Sequence, residues 1–147
     1  MYLLDTNHFS RLILGNETVR QSIARIGAQS VAISVITQGE VLYMAYNSER
    51  QQQNLALVQS YLANVGIYRL NDAIANLYGQ SKADLIRHFG PKDRQKRRKI
   101  KIEALGISDN DLWIACIAMH HQLVVVSTDS DFSRMKASMD LSLESWL

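Results

Sequence analysis

The chain of 147 residues carries 47% hydrophobic and 20% charged side chains, which predicts one globular domain over residues 1–147 and excludes disordered and fibrous classes. No apolar run reaches the roughly 18 residues a membrane span needs. A single cysteine, Cys116, excludes an internal disulfide, and no Cys/His array has zinc spacing; a reducing cytoplasm is the expected setting.

Tyr2–Leu4 is a short apolar run ending at Asp5 and predicts a buried strand. Thr6–Leu14 and Glu17–Ile26 carry helical spacing, separated by Gly15–Asn16. Ser30–Val35 is β-branched and predicts a second strand. Thr37–Tyr46 reads as a helix opened by a Thr-x-x-Glu capping box, Thr37 with Glu40. A further helix covers Arg50–Leu62, and Ile67–Leu70 gives a third strand. Asn71 is a good N-cap for a helix running to Phe89, where Gly90 and Pro91 stop it. Lys92–Lys101 (KDRQKRRKIK) then holds seven basic residues and one acid in a chain whose net charge is +2. Such a segment suggests a phosphate-bearing partner, with a solvated loop as the plain alternative. Ser108 opens a helix through His120, Leu123–Ser127 (LVVVS) is the most strand-like stretch, and Leu141–Leu143 fits an edge strand.

Apolar strands alternating with helices predict an α/β fold, a short and mostly parallel sheet between two helical layers. Ligands of such sheets bind beyond the carboxyl ends of the strands. Asp5, Glu40, Asp111 and Asp129 all fall just after strand ends or in first helical turns, which places them at that rim. Each has an ordinary structural reading as a cap, a capping-box partner or a turn residue. Four carboxylates on one rim, however, cannot all stay ionised at close range without a cation between them. Mg²⁺ suits such an oxygen-rich set, and Mn²⁺ would satisfy it as well. The arrangement predicts phosphodiester hydrolysis by metal-activated water.

Met1–Asn7 (MYLLDTN), Ile33–Leu42 (ISVITQGEVL), Ser108–Ala118 (SDNDLWIACIA) and Val125–Phe132 (VVSTDSDF), with the ending Glu144–Ser145–Trp146, resemble the PIN-domain nucleases over nearly the whole chain. Within that family the sequence is most similar to VapC-type toxins of bacterial toxin–antitoxin pairs. The resemblance implies a PIN-like fold and an Mg²⁺-dependent endoribonuclease, often acting on transfer RNA. It also implies a small VapB-like antitoxin as partner and a homodimer. It assigns Asp5, Glu40, Asp111 and Asp129 as the metal-binding and catalytic acids. Thr6, Asn7 and Ser127 would support them, Ser127 standing where many members have threonine. Asp109 lies two residues before Asp111 and points to another side of a helix; the family pattern favours Asp111. The stretch from 91 to 107 is long and basic for the family. As an insertion it would offer Lys92, Arg94, Lys96, Arg97, Arg98, Lys99 and Lys101 to RNA phosphates. An antitoxin helix would lie on exposed apolar positions of the early helices, Ile13, Leu14, Val41, Leu42 and Met44.

Other chemistries have less to stand on. His88, His120 and His121 sit at helix ends, where a histidine favours the dipole. Cys116 lies on an apolar face, and packing accounts for Trp113. No Gly-rich phosphate loop is present. The alternatives are a non-catalytic RNA-binding module of the same fold, or a receiver- or phosphatase-like Mg²⁺ phosphoryl-transfer domain. The latter lacks an Asp-x-Asp pair at Asp5–Asn7.

Overall fold

The computed structural model describes residues 1–147. Its centre is a sheet of five strands: β1 (Tyr2–Leu4), β2 (Val31–Ser34), β3 (Gly66–Tyr68), β4 (Val124–Val126) and β5 (Ser142–Glu144). They pair in the order β3-β2-β1-β4-β5, and every pairing is parallel. Parallel neighbours require crossover connections, and the helices supply them: α1 (Thr6–Ile13), α2 (Glu17–Ile26), α3 (Val35–Tyr46), α4 (Gln51–Leu62), α5 (Asp72–Phe89), α6 (Arg94–Lys99), α7 (Asp109–His121) and α8 (Ser130–Lys136).

The pleat of the central strands divides the core. Leu3, Ala32 and Val125 join Ile74, Leu85, Leu112, Ala115, Phe132 and Met135 on the α5, α7 and α8 side. Leu4, Ile33 and Val126 join Phe9, Ile13, Val19, Val41 and Val58 on the side of α1 to α4. Both faces of the sheet are therefore covered, which is why its strands read as continuous apolar runs. This is the three-layer α/β/α arrangement expected.

Several local expectations need correction. The strand expected over Ser30–Val35 stops at Ser34, because the Ser34 hydroxyl caps α3 by accepting from the Thr37 amide at 3.0 Å. The Thr37–Glu40 capping box is therefore absent, and the Glu40 side chain is free to point elsewhere. The third strand begins one residue earlier than expected and ends at Tyr68. Residues 91–107 are not a plain loop: α6 forms on the Asp93 cap, and Ile102, Leu105 and Ile107 insert into the core beyond it. After β4 the chain makes α8, where only a turn was anticipated.

Candidate active site

Asp5 leaves β1 and caps α1, its Oδ1 accepting from the His8 amide at 2.7 Å. The same oxygen lies 3.0 Å from His8 Nδ1, and Oδ2 accepts from the Ser127 hydroxyl. Asp5 is only 3% exposed, and His8 is fully buried with no partner for Nε2. Ser127 directly follows β4, and its oxygen also accepts from the Asp129 amide at 2.9 Å. One hydroxyl thus ties the Asp5 carboxylate at the end of β1 to the Asp129 backbone leaving β4.

Asp111 stands in the first turn of α7, whose N-cap Ser108 accepts from the Asp111 amide at 3.0 Å. The Ser108 amide donates to Asp131 Oδ2 at 2.7 Å, and Asp129 caps α8 by accepting from the Asp131 amide at 3.0 Å. Asp111, Asp129 and Asp131 each bring a carboxylate oxygen to within 4.8 Å of the others. Burial pushes the Asp111 carboxyl up to about 7, and the facing charges of Asp131, Asp129 and Glu40 add to the effect. Two helix N-termini favour negative charge here, but not three carboxylates at contact range.

Glu40 completes the rim from α3. Its two oxygens accept from different donors, the Thr6 hydroxyl and Asn110 Nδ2, the latter at 2.8 Å. Thr6 also reaches the buried Thr37 hydroxyl at 3.4 Å. Asn7 is exposed, one residue beyond Thr6. Asp109 turns away from the cluster, accepting from the Tyr78 hydroxyl and pairing with Lys82 at 3.3 Å. Trp113 stacks flat on Tyr78 with ring centroids 3.7 Å apart. His120 and His121 lie together at the other end of α7.

Three residues with a place in this network were not apparent from sequence. Asp131 depends on α8, a helix of seven residues whose only buried side chains are Phe132 and Met135. Asn110 reaches Glu40 across seventy positions of sequence. His8 looks like an interior residue of α1 and becomes notable only through its contact with Asp5. The basic residues 92–101 sit on and around α6, where none is fully buried and none pairs with a rim carboxylate. An apolar groove lies between α1, α3 and α4, lined by Ile13, Leu14, Val41, Met44, Leu57 and Val58 among others. Ile13 and Val41, read from sequence as exposed, are 8% and 2% exposed and form its floor, whereas Leu14 stands open at 79%. Leu42 packs against the core instead.

A family model described as PIN domain matches residues 2–138. The chain is 29% identical to Ribonuclease VapC2 of Haemophilus influenzae over 147 residues, covering 99% of this chain and 98% of the relative. It is 24% identical to Ribonuclease VapC1 of the same species, with the same coverage. Among solved structures, VapBC2 from Rickettsia felis bound to a promoter DNA fragment superposes with a TM-score of 0.80 at 22% identity, covering 99% of this chain and 98% of the other. DNA-bound VapBC from Salmonella typhimurium gives 0.77 at 24% identity with the same coverage.

Proposed function

The chain belongs to the PIN-domain family, and from that premise we propose that it is a VapC-type endoribonuclease, a hydrolase that cleaves phosphodiester bonds in RNA with Mg²⁺, or Mn²⁺ in its place. The observation that carries the reading is the meeting of Asp111, Asp129 and Asp131 from α7 and α8, with an Asp111 proton affinity raised first by burial and then by the facing acids. Facing carboxylates without a counter-charge fit a hard divalent cation. Asp111, Asp129 and Asp131 would hold it, with the Glu40 charge facing Asp111 and Asp5 linked to Asp129 through the Ser127 hydroxyl. When bound, such a cation supplies a water of lowered pKa and neutralises charge developing on a phosphoryl oxygen.

The chain's own part is rigidity. Ser127 and His8 hold Asp5, Thr6 and Asn110 hold Glu40, and the Ser108 amide holds Asp131. These three acids are thereby kept from swinging into solvent to relieve the repulsion. A site preorganised in this way spends little reorganisation energy when charge develops on the scissile phosphate. Asn7, exposed beside Thr6, faces solvent where a substrate would approach.

The partners we propose are RNA, with transfer RNA the first candidate, a VapB-like antitoxin and a second copy of the chain. The names of the relatives and the VapBC complexes among the structural neighbours support the antitoxin. The apolar groove between α1, α3 and α4 supports a docked apolar helix. No helix is long and apolar enough to cross a membrane, and the cytoplasm is the proposed site of action. The test is cleavage of purified RNA by the protein stripped with EDTA and then resupplied with Mg²⁺ or Mn²⁺. Cleavage that requires the cation, and that is lost in Asp111→Asn, is the expected result. Cleavage persisting in EDTA would overturn the metal-dependent reading.

A further inference from the structure

Beside the last turns of α5 lies an open cleft lined by Ala83, Ile86, Arg87, Arg94, Arg97 and Arg98. We infer that this cleft is a phosphate-backbone subsite that grips the RNA strand at a distance from the bond being cut; the inference rests on the endoribonuclease reading above. Four guanidinium groups share one concavity, and the nearby acids leave three of them unpaired. Asp84 pairs with Arg87 alone, at 2.7 Å. Asp93 is engaged by the backbone, accepting from the Gln95 and Lys96 amides at 2.9 and 3.0 Å. Arg94, Arg97 and Arg98 enter no ion pair.

Core packing does not explain the cluster. α6 is six residues long and buries none of them, and an isolated helix that short is unstable in water. Its first residue is Arg94, at the helix end where the dipole disfavours a cation. Like charges held together at the surface repel one another. Such a cluster is stabilised when a polyanion binds. Guanidinium forks match phosphate oxygens two at a time. The apolar lining is only Ala83 and Ile86, with no aromatic ring on which a base could stack. The cleft is therefore suited to the backbone and not to sequence.

Position gives the cleft its purpose. Lys82, the residue before Ala83, holds its ammonium 3.3 Å from Asp109, which is two residues from Asp111. From Lys82 to Arg87 the axis of α5 advances about 7.5 Å. A strand whose scissile phosphate lies at the carboxylates can thus follow α5 into the cleft. The acidic rim itself repels RNA, so attraction has to come from a separate, cationic surface.

The test compares wild type with the triple variant R94A/R97A/R98A, whose changes leave no buried partner unpaired. The substrates are an RNA of about twenty nucleotides, longer than one binding site, and the shortest RNA that wild type still cleaves. For the long RNA, KM rises about tenfold or more while kcat is retained; the short RNA is cut as before. Binding of the long RNA in EDTA, followed by fluorescence anisotropy, weakens, and the slope of log K against log salt shrinks by about 2. The triple lysine variant recovers the slope because charge is kept. Unchanged affinity and slope in the alanine variant would overturn the inference, as would equal loss on both substrates. If wild type cleaves neither RNA, the nuclease reading falls alone, and the binding measurement in EDTA still decides the cleft.

Discussion

The rim and the α6 cleft both gather charges of one sign, and the structure treats them oppositely. At the rim four of the five acids are fixed by hydrogen bonds to structured elements: Asp5 to the end of β4 through Ser127, Glu40 to α1 and α7, Asp129 to the start of α8, and Asp131 to the start of α7, with Asp111 enclosed among them. On α6 the cations project from a helix that buries nothing and enter no ion pair. A point charge such as a divalent ion needs its ligands held to fractions of an ångström. A polyanion needs only a high density of cations along its path. The contrast teaches that hydrogen-bonded charge and exposed, unpaired charge suit different partners, and each half of it can be broken separately.

The largest effect is expected at the fixed half. Asp111→Asn removes one charge from the Asp111–Asp129–Asp131 set and should lower RNA cleavage by about a hundred- to a thousandfold, the several kcal/mol a bound cation supplies to phosphoryl transfer. The same change relieves repulsion in the metal-free protein, so its Tm in EDTA should rise. Loss of cleavage together with a lower Tm would mean that the residue serves folding instead. Next in size is His8→Ala, with an expected loss of about ten- to a hundredfold in activity or cation affinity, as for residues that orient a metal ligand. His8→Asn, which keeps a donor near Asp5 Oδ1, should recover part of it. No recovery would point to the cavity left in α1 as the cause.

The pH dependence of stability probes the same fixed charges. The Asp111 carboxyl is pushed from 3.8 to about 7 in the fold. Between those values the folded state holds a proton that the unfolded chain has released. Asp111 therefore contributes most to stability below the lower value, and the contribution falls as pH rises through the window. A cation replaces that proton, so Mg²⁺ or Mn²⁺ should raise the Tm more near pH 8 than near pH 5. Equal gains at both pH values would separate the cation from this cluster.

What the sequence made legible follows from how local each signal is. β1, α5 and α7 could be placed because an apolar run or a cap residue, Asn71 or Ser108, marks them within a few positions. That the sheet is parallel follows from apolar strands alternating with helices, whereas the order of its five strands does not, because it is set by which crossovers pack where. The start of α3 could not be read securely, since Ser34 and Thr37 both suit an N-cap and only the end of β2 decides between them. α8 is too short for periodicity to register. At the rim, Asp5, Glu40, Asp111 and Asp129 could be nominated from strand ends and helix starts. Asp131, Asn110 and His8 could not, because their relevance is made by contacts between distant elements.

That ambiguity at α3 yields a smaller test. With Ser34 as the cap, Ser34→Ala should cost about 1 kcal/mol of stability. Glu40→Gln should change stability little while reducing cleavage, because Glu40 closes no capping box and instead faces Thr6 and Asn110. The reverse pattern in chemical denaturation would restore the capping box.

The smallest effect belongs to the exposed half. Replacing Arg94, Arg97 and Arg98 with alanine should shift stability by no more than about 0.5 kcal/mol, the usual range for surface changes. Its sign should depend on ionic strength. At low salt the repulsion among unpaired cations is unscreened, so the variant should be the more stable protein. As salt rises the Debye length falls to about 10 Å at 0.1 M and the two should converge. A destabilised variant at every salt concentration would mean that α6 braces the fold, and the difference between held and free charge would disappear.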